Sequence, residues 1–247
     1  MHLNDTVALV TGGARRVGRA IALELARAGC NVAVHCRNSR DHAEALAADV
    51  ARLGRRAVII EGDLSDAQTW HAIVQAAVKP WGRLDILVNN AALFLHGKSD
   101  NLTGFDPASW ERMLRINLLA PMGLAHHAAP HLRASGSGRI INLLDIAVDR
   151  PWTDHLSYVA SKAGLAAMTQ SLARLLAPDV CVNGVAPGVA VFPESYGESL
   201  KQRILDKIPL DRPGSPDEVA RVVRFLVQSA DYITGEIIRV DGGRHLV

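Results

Sequence analysis

Short apolar runs alternate with stretches of helical periodicity along the whole chain. The runs are Val7–Val10, Val32–Val34, Ala57–Ile60, Leu84–Val88, Ile140–Leu144, Val180–Val185 and Ile237–Val240. They are rich in β-formers and lack polar alternation, the pattern of parallel strands covered on both faces. Between them, apolar spacing predicts helices near 15–28, 40–53, 66–79, 107–133, 156–177 and 216–229. Ser65 with Gln68, and Ser215 with Glu218, have capping-box spacing. Asp106 before Pro107, and Ser215 before Pro216, place an N-cap ahead of proline at the first helical position. Strand–helix alternation of this kind predicts an α/β fold, a doubly wound parallel sheet built from right-handed crossovers. No repeat, low-complexity tract or linker divides the sequence, so residues 1–247 are expected to form a single domain.

Composition narrows the partners. Lys and Arg number 27 against 25 Asp and Glu, a formal charge of +2. That balance predicts neither nucleic acid nor an anionic membrane surface. No apolar run is long enough to span a bilayer, and Met1–Thr6 leads into the first strand without a signal-like leader. Cys30, Cys36 and Cys181 are odd in number and sit on or beside apolar runs. They read as reduced core residues in a reducing compartment, which places the chain in the cytoplasm.

The first strand ends in a glycine-rich turn that opens a helix: Val7–Ala20 reads VALVTGGARRVGRA. Such a turn aims backbone N–H groups and the positive end of a helix at a phosphate, as in Rossmann-type folds. The motif is T-G-x-x-x-R-x-G, with Thr11, Gly12, Val17 and Gly18 framing it. Arg15 and Arg16 add two fixed charges, and Arg16 stands where many dinucleotide loops have glycine. The alternative is an ordinary tight strand-to-helix connection.

The end of the second strand bears on the cofactor. NAD-binding folds place a carboxylate on the ribose about 20 residues past the glycine loop. Here the region reads His35, Cys36, Arg37, Asn38, Ser39, Arg40, with no acid. Arg37 can pair with a 2′-phosphate, since a guanidinium donates two parallel bonds to it, so NADP(H) is expected. The alternative leaves Arg37 and Arg40 as solvated charges. After the third strand, Asp63 precedes Leu64; Asp63 can accept from an adenine amine or cap the next helix. Asn89, Asn90, Ala91 and Ala92 follow the fourth strand, where a close backbone approach to a ribose and a simple turn are both open.

The segment Ser157–Lys162, SYVASK, carries the chemistry. Tyr158 and Lys162 are four apart and share a helix face. A neighbouring ammonium and an oxidised nicotinamide favour the phenolate, so a lowered tyrosine pKa and a usable proton donor are expected.

Taken together, T-G-x-x-x-R-x-G at 11–18, N-N-A at 89–91, Asn117 in RINLLAP, Y-x-x-x-K at 158–162, V-N-G-V-A-P-G at 182–188 and the closing Y-I-T-G and V-D-G-G resemble the short-chain dehydrogenase/reductase family over residues 5–245. The resemblance implies a nicotinamide at the strand ends and Tyr158 as the acid. It implies that Lys162 grips the ribose and tunes Tyr158, that Asn117 holds a relay water, and that Pro187, Gly188 and Val189 line the nicotinamide amide. It also implies a homotetramer built through the helices near 107–133 and 156–177.

Two departures narrow this. The family's carbonyl-polarising serine, 13 residues before the tyrosine, is replaced by Asp145. A carboxylate repels a developing oxyanion but suits a substrate with N–H donors or a ring nitrogen to be protonated. Asp145 and Arg16 are both features of pteridine reductases and bacterial dihydromonapterin reductases, which the sequence resembles. Phe94 falls where those enzymes place the ring that stacks on a pterin, while Ala92 replaces a serine that contacts the pterin in some of them. The alternatives are a charge pair of Asp145 with Arg139 or Arg150, and a core position for Phe94. The expected substrate site is therefore Arg16, Phe94, Asp145 and Tyr158, covered by a loop near 189–210 that contains Phe192, Pro193, Tyr196 and Gly197. The expected reaction is NADPH-dependent reduction of a dihydropterin. A keto-reductase of 3-oxoacyl thioesters or sugars, and a silent NADP(H) sensor, are the alternatives. His126, His127 and His131 read as helix-surface or interface residues; with no acidic ligand beside them and Pro130 interrupting the helix, no metal site is expected.

Overall fold

The apolar runs fold as strands with both faces covered. The computed structural model describes residues 1–95, 104–192 and 196–247. The strands are β1 (Val7–Val10), β2 (Asn31–Cys36), β3 (Ala57–Glu61), β4 (Ile86–Asn89), β5 (Gly138–Leu143), β6 (Val180–Pro187) and β7 (Ile237–Val240). Among the described residues they pair in the order β3-β2-β1-β4-β5-β6-β7, every pair parallel. Strand order reverses between β1 and β4. In doubly wound sheets the crevice beyond the carboxyl ends of such strands is where ligands bind.

The helices are α1 (Arg16–Arg27), α2 (Arg40–Arg52), α3 (Gln68–Val78), α4 (Pro107–Leu114), α5 (Ala120–Ala134), α6 (Leu156–Leu176), α7 (Glu198–Leu205) and α8 (Pro216–Gln228). Successive side chains of β1 point to opposite faces. Ala8 and Val10 pack with Ile21, Leu25 and Val223 of α1 and α8. Val7 and Leu9 pack with Val74, Leu124 and Leu172 of α3, α5 and α6. All three cysteines are free thiols, with Cys30 and Cys36 buried. Among the described residues no helix is long and apolar enough to cross a membrane.

Capping follows the sequence at two sites of three. Ser215 Oγ accepts the Glu218 N–H at 3.2 Å, while Glu218 accepts the Ser215 N–H at 2.9 Å. Asp106 accepts the Ala108 N–H at the start of α4. The box expected at Ser65 does not form. Asp63 takes both the Ser65 amide (2.9 Å) and its hydroxyl (2.8 Å), and α3 begins only at Gln68. The single helix expected at 107–133 is instead α4 and α5 joined by a π-helical turn, Arg115–Leu119. Pro130 does not interrupt α5, which runs on to Ala134. Leu124, Ala128 and Leu132 are buried on either side of it, and that packing holds the helix across the missing hydrogen bond.

Candidate active site

The glycine turn between β1 and α1 is shaped by contacts that glycine alone permits. A Cβ on Gly18 would lie 2.2 Å from the Gly12 carbonyl oxygen. Gly12 has φ +59°, and Arg16 adopts φ +49°, a left-handed backbone that glycine takes without penalty. The Arg16 position therefore has the backbone of the glycine it replaces, with a guanidinium added. Thr11 is buried and pins the turn to β4: its Oγ1 accepts the N–H groups of Asn90 and Ala91, each at 3.0 Å. His35, at the end of β2, accepts the Gly12 N–H on Nδ1 at 3.3 Å, and its Nε2 lies 3.1 Å from the Gly62 carbonyl. Those partners define a neutral ring, and burial pushes its pKa down. Thr11 and His35 thus build the turn from behind.

A cleft of about 560 Å³ runs along the strand ends. One end is walled by Gly12, Arg15, Arg16, Val17 and Gly18, and the other by Lys162, Pro187 and Gly188. Between them lie Asn90 and Ala91. Asn89 is not in the wall. It is buried, with Nδ2 donating to Asn142 Oδ1 at 2.9 Å. Strand alternation turns Asn89 inward and leaves its neighbour Asn90 to face the cleft. Beyond β2, Arg40 is paired with Glu44 and Glu61. Arg37 and Asn38 are exposed, Ser39 is half-buried, and Arg37 has no ion pair among the described residues. Asp63 is held by Ser65, whose amide N–H is the main cause of its lowered pKa. Leu64 beside it is buried.

Tyr158 and Lys162 lie on the first turns of α6. The Tyr158 hydroxyl donates to Asp145 Oδ2 at 3.1 Å. The other Asp145 oxygen accepts the Ala147 N–H at 2.9 Å, capping the short turn Ile146–Val148. Neither arginine considered as a partner takes it: Arg139 binds Asp231 at 2.5 Å, and Arg150 makes no ion pair among the described residues. Burial raises the Asp145 pKa against the opposing pull of the Ala147 amide and the Lys162 charge. Lys162 Nζ donates to the Leu143 carbonyl at 2.7 Å and lies 5.8 Å from the Tyr158 ring centre. Burial lowers its pKa to about 8. The lowered tyrosine pKa expected from the Y-x-x-x-K pair is not found in the chain itself. Burial pushes Tyr158 well above its ordinary range, and the Asp145 charge and hydrogen bond push it further. The carboxylate sits on the hydroxyl, whereas the ammonium is occupied by a β5 carbonyl. The site holds Tyr158 as a protonated donor.

Asn117 lies in the π-helical turn. Its Oδ1 accepts the Leu93 N–H at 2.7 Å, and its Nδ2 donates to the Leu93 carbonyl at 3.0 Å and to Ser161 Oγ at 3.1 Å. The side chain thus fastens the segment before Phe94 to α6. Phe94 meets Tyr158 edge-on at 4.8 Å and lies 4.6 Å from the His155 ring. Trp152 stacks on Tyr158 at 5.9 Å. These rings line a second cavity of about 340 Å³ that also contains Asp145, Val189 and Arg244. Phe94 is therefore a pocket wall, not a core residue. Phe192 and Tyr196 close the cavity from the 189–210 segment, as does Ile204 of α7; Pro193 lies outside the described residues. Trp152, His155 and Arg244 were not legible as site residues. His155 carries one late signal, a left-handed φ of +58° at the start of α6. His126 and His127 meet edge-on, and no metal-binding group occurs among the described residues.

With strand order, glycine turn and Tyr–Lys pair in place, the class is defined. The family model described as enoyl-(acyl carrier protein) reductase matches residues 12–245, and the chain belongs to the short-chain dehydrogenase/reductase family. It is 37% identical over 245 residues to the 3-oxoacyl-[acyl-carrier-protein] reductase FabG of Staphylococcus aureus, covering 97% of this chain and 98% of the relative. Its fold is similar to FolM alternative dihydrofolate reductase 1 from Brucella canis complexed with NADP. There the TM-score is 0.92 at 35% identity, covering 100% of this chain and 96% of that one. The Brucella suis protein in complex with NADP gives a TM-score of 0.92 at 36% identity, covering 100% and 97%.

Proposed function

We propose that the protein is an NADPH-dependent reductase of a dihydropterin. One observation carries the reading: a carboxylate, Asp145, is hydrogen-bonded to the catalytic tyrosine at 3.1 Å inside a pocket of aromatic rings. A hydroxyl there would serve a ketone; a carboxylate serves a flat heterocycle that offers N–H donors. Likeness to the FolM structures supports the same reading.

The residues fit a nicotinamide dinucleotide with a 2′-phosphate. The cleft beside the Gly12–Gly18 turn, walled by Arg15 and Arg16, would take the pyrophosphate. Arg37, with Asn38 and Ser39, would take the 2′-phosphate, and Asp63 and Leu64 would border the adenine. Asn90 and Ala91 would approach the ribose with Lys162, and Pro187, Gly188 and Val189 the amide. When bound, NADPH supplies the hydride that reduces a ring C=N carbon. Tyr158 gives its proton to the ring nitrogen, and Asp145 holds the hydroxyl and relays a proton from solvent to the phenolate left behind. Arg16 would reach both pyrophosphate and pterin. Phe94 offers the flat substrate an aromatic wall and so contributes orientation.

The test follows NADPH absorbance with dihydrobiopterin and, separately, with acetoacetyl-CoA. Turnover of the pterin supports the reading, and turnover of the thioester alone removes it. Identity to FabG at 37% favours the second reading, a 3-oxoacyl reductase with Asp145 structural. A cytoplasmic homotetramer completes the proposal. Exposed Leu119, Met122 and Leu175 on the helices expected at the interface support it.

A further inference from the structure

The C-terminal turn places in the substrate pocket a guanidinium that the chemistry above leaves unused. Asp241 builds this turn. Its carboxylate accepts the N–H groups of Gly243 (3.1 Å) and His245 (2.8 Å) and meets His245 Nδ1 at 2.7 Å. Gly242 and Gly243 are both left-handed, at φ +63° and +86°. The turn therefore presents Arg244 to the same cavity wall as Tyr196 and Ile204.

Arg244 is partly buried; its backbone N–H donates to the Asp241 carbonyl at 3.2 Å, while its guanidinium has no hydrogen bond or ion pair among the described residues. Its neighbours in the sequence and fold are paired: Arg239 binds Asp149 through two nitrogens, and Arg212 binds Glu218. Of the two carboxylates that act on it, Asp145 is already engaged by Tyr158 and Ala147, and Asp241 by the turn it builds. Arg150 adds like charge. A half-buried guanidinium whose N–H donors meet no acceptor among the described residues is open to a ligand that supplies one. The group that fits its fork is a carboxylate. The cavity, about 340 Å³, lies at the small end of ligand pockets (~300–1,000 Å³). It has room for a bicyclic ring system, and Arg244 is on its wall.

We propose that Arg244 is a specificity-determining residue that binds a carboxylate on the side chain of the pterin, so that acid-tailed (folate-type) dihydropterins are preferred over neutral ones. The proposal rests on the pterin reading above. The experiment compares dihydrofolate, dihydrobiopterin and acetoacetyl-CoA as substrates of the wild type, Arg244→Gln and Arg244→Lys. In Arg244→Gln, kcat/KM for dihydrofolate should fall about 10–100-fold, mostly through KM, while that for dihydrobiopterin changes less than about 3-fold. Arg244→Lys, which keeps the charge and loses the fork, should fall between and carries the comparison if the glutamine variant does not fold. Equal losses on both pterins, or no loss on dihydrofolate, overturn the proposal while leaving the pterin reading intact. A wild type that turns over neither pterin, or only acetoacetyl-CoA, overturns both.

Discussion

Replacing Asp145 by asparagine is the sharpest perturbation of the proposed chemistry. The amide is isosteric, so its oxygen can keep the Ala147 N–H now held at 2.9 Å. The NH₂ group then faces the Tyr158 hydroxyl, a donor where an acceptor stood at 3.1 Å. A hydrogen bond to a charged acceptor is worth about 1.5–3 kcal/mol, and a positioned proton donor about 10²–10⁴ in rate. Since Tyr158 remains in place, kcat with dihydrobiopterin should fall by about 10²–10³. NADPH affinity, followed by fluorescence quenching, should change by less than about 2-fold. A second readout separates electrostatics from geometry. The Asp145 charge and hydrogen bond rank behind burial among the causes that raise the Tyr158 pKa. Phenolate absorbance in the variant should therefore appear at lower pH than in the wild type, though still above the free tyrosine range. An unchanged kcat, or a loss shared equally with NADPH affinity, would refute a proton-relay role for Asp145.

Other outcomes follow from the same geometry. Arg37→Asp should lower NADPH affinity about 10–100-fold with little effect on NADH; unchanged preference between the two would remove the phosphate assignment. Lys162, with a pKa of about 8, is charged below that value. NADPH affinity should be flat at lower pH and decline as pH rises through about 8, and Lys162→Met should abolish the decline; a titration of the same shape in the variant would contradict this. Gly123 lies under the Trp70 ring, where a Cβ would fall 1.9 Å from Cε3. Gly123→Ala should thus cost about 1–3 kcal/mol and lower Tm by roughly 3–10 °C, with an unshifted melting curve as the contrary result.

The strands were legible because a parallel sheet buries both faces, so each apolar run stands out against polar helix surfaces. Boundaries were less so. Ser65 has capping-box spacing, yet Asp63 is nearer and claims its amide and hydroxyl. The π-helical turn at Arg115–Leu119 leaves no mark in apolar spacing. In the site, Tyr158, Lys162 and Asp145 are joined by one helix and one adjacent strand end, so short-range spacing finds them. Asn89 and Asn90 are adjacent in sequence, and only the pleat decides which of them faces the cleft. Trp152 and Arg244 come to the pocket through irregular segments, where no periodicity reports direction. The sign of the Tyr158 shift depends first on burial and then on which charge touches the hydroxyl, three-dimensional facts that the Y-x-x-x-K spacing does not contain.

The most direct test of the central claim is a crystal structure with NADP⁺ and a dihydropterin bound. The account predicts the pterin beside Phe94, its N–H groups within about 2.7–3.2 Å of the Asp145 carboxylate, and its ring nitrogen within reach of the Tyr158 hydroxyl. A pterin bound elsewhere, or Asp145 turned from the ligand onto a neighbouring cation, would contradict it.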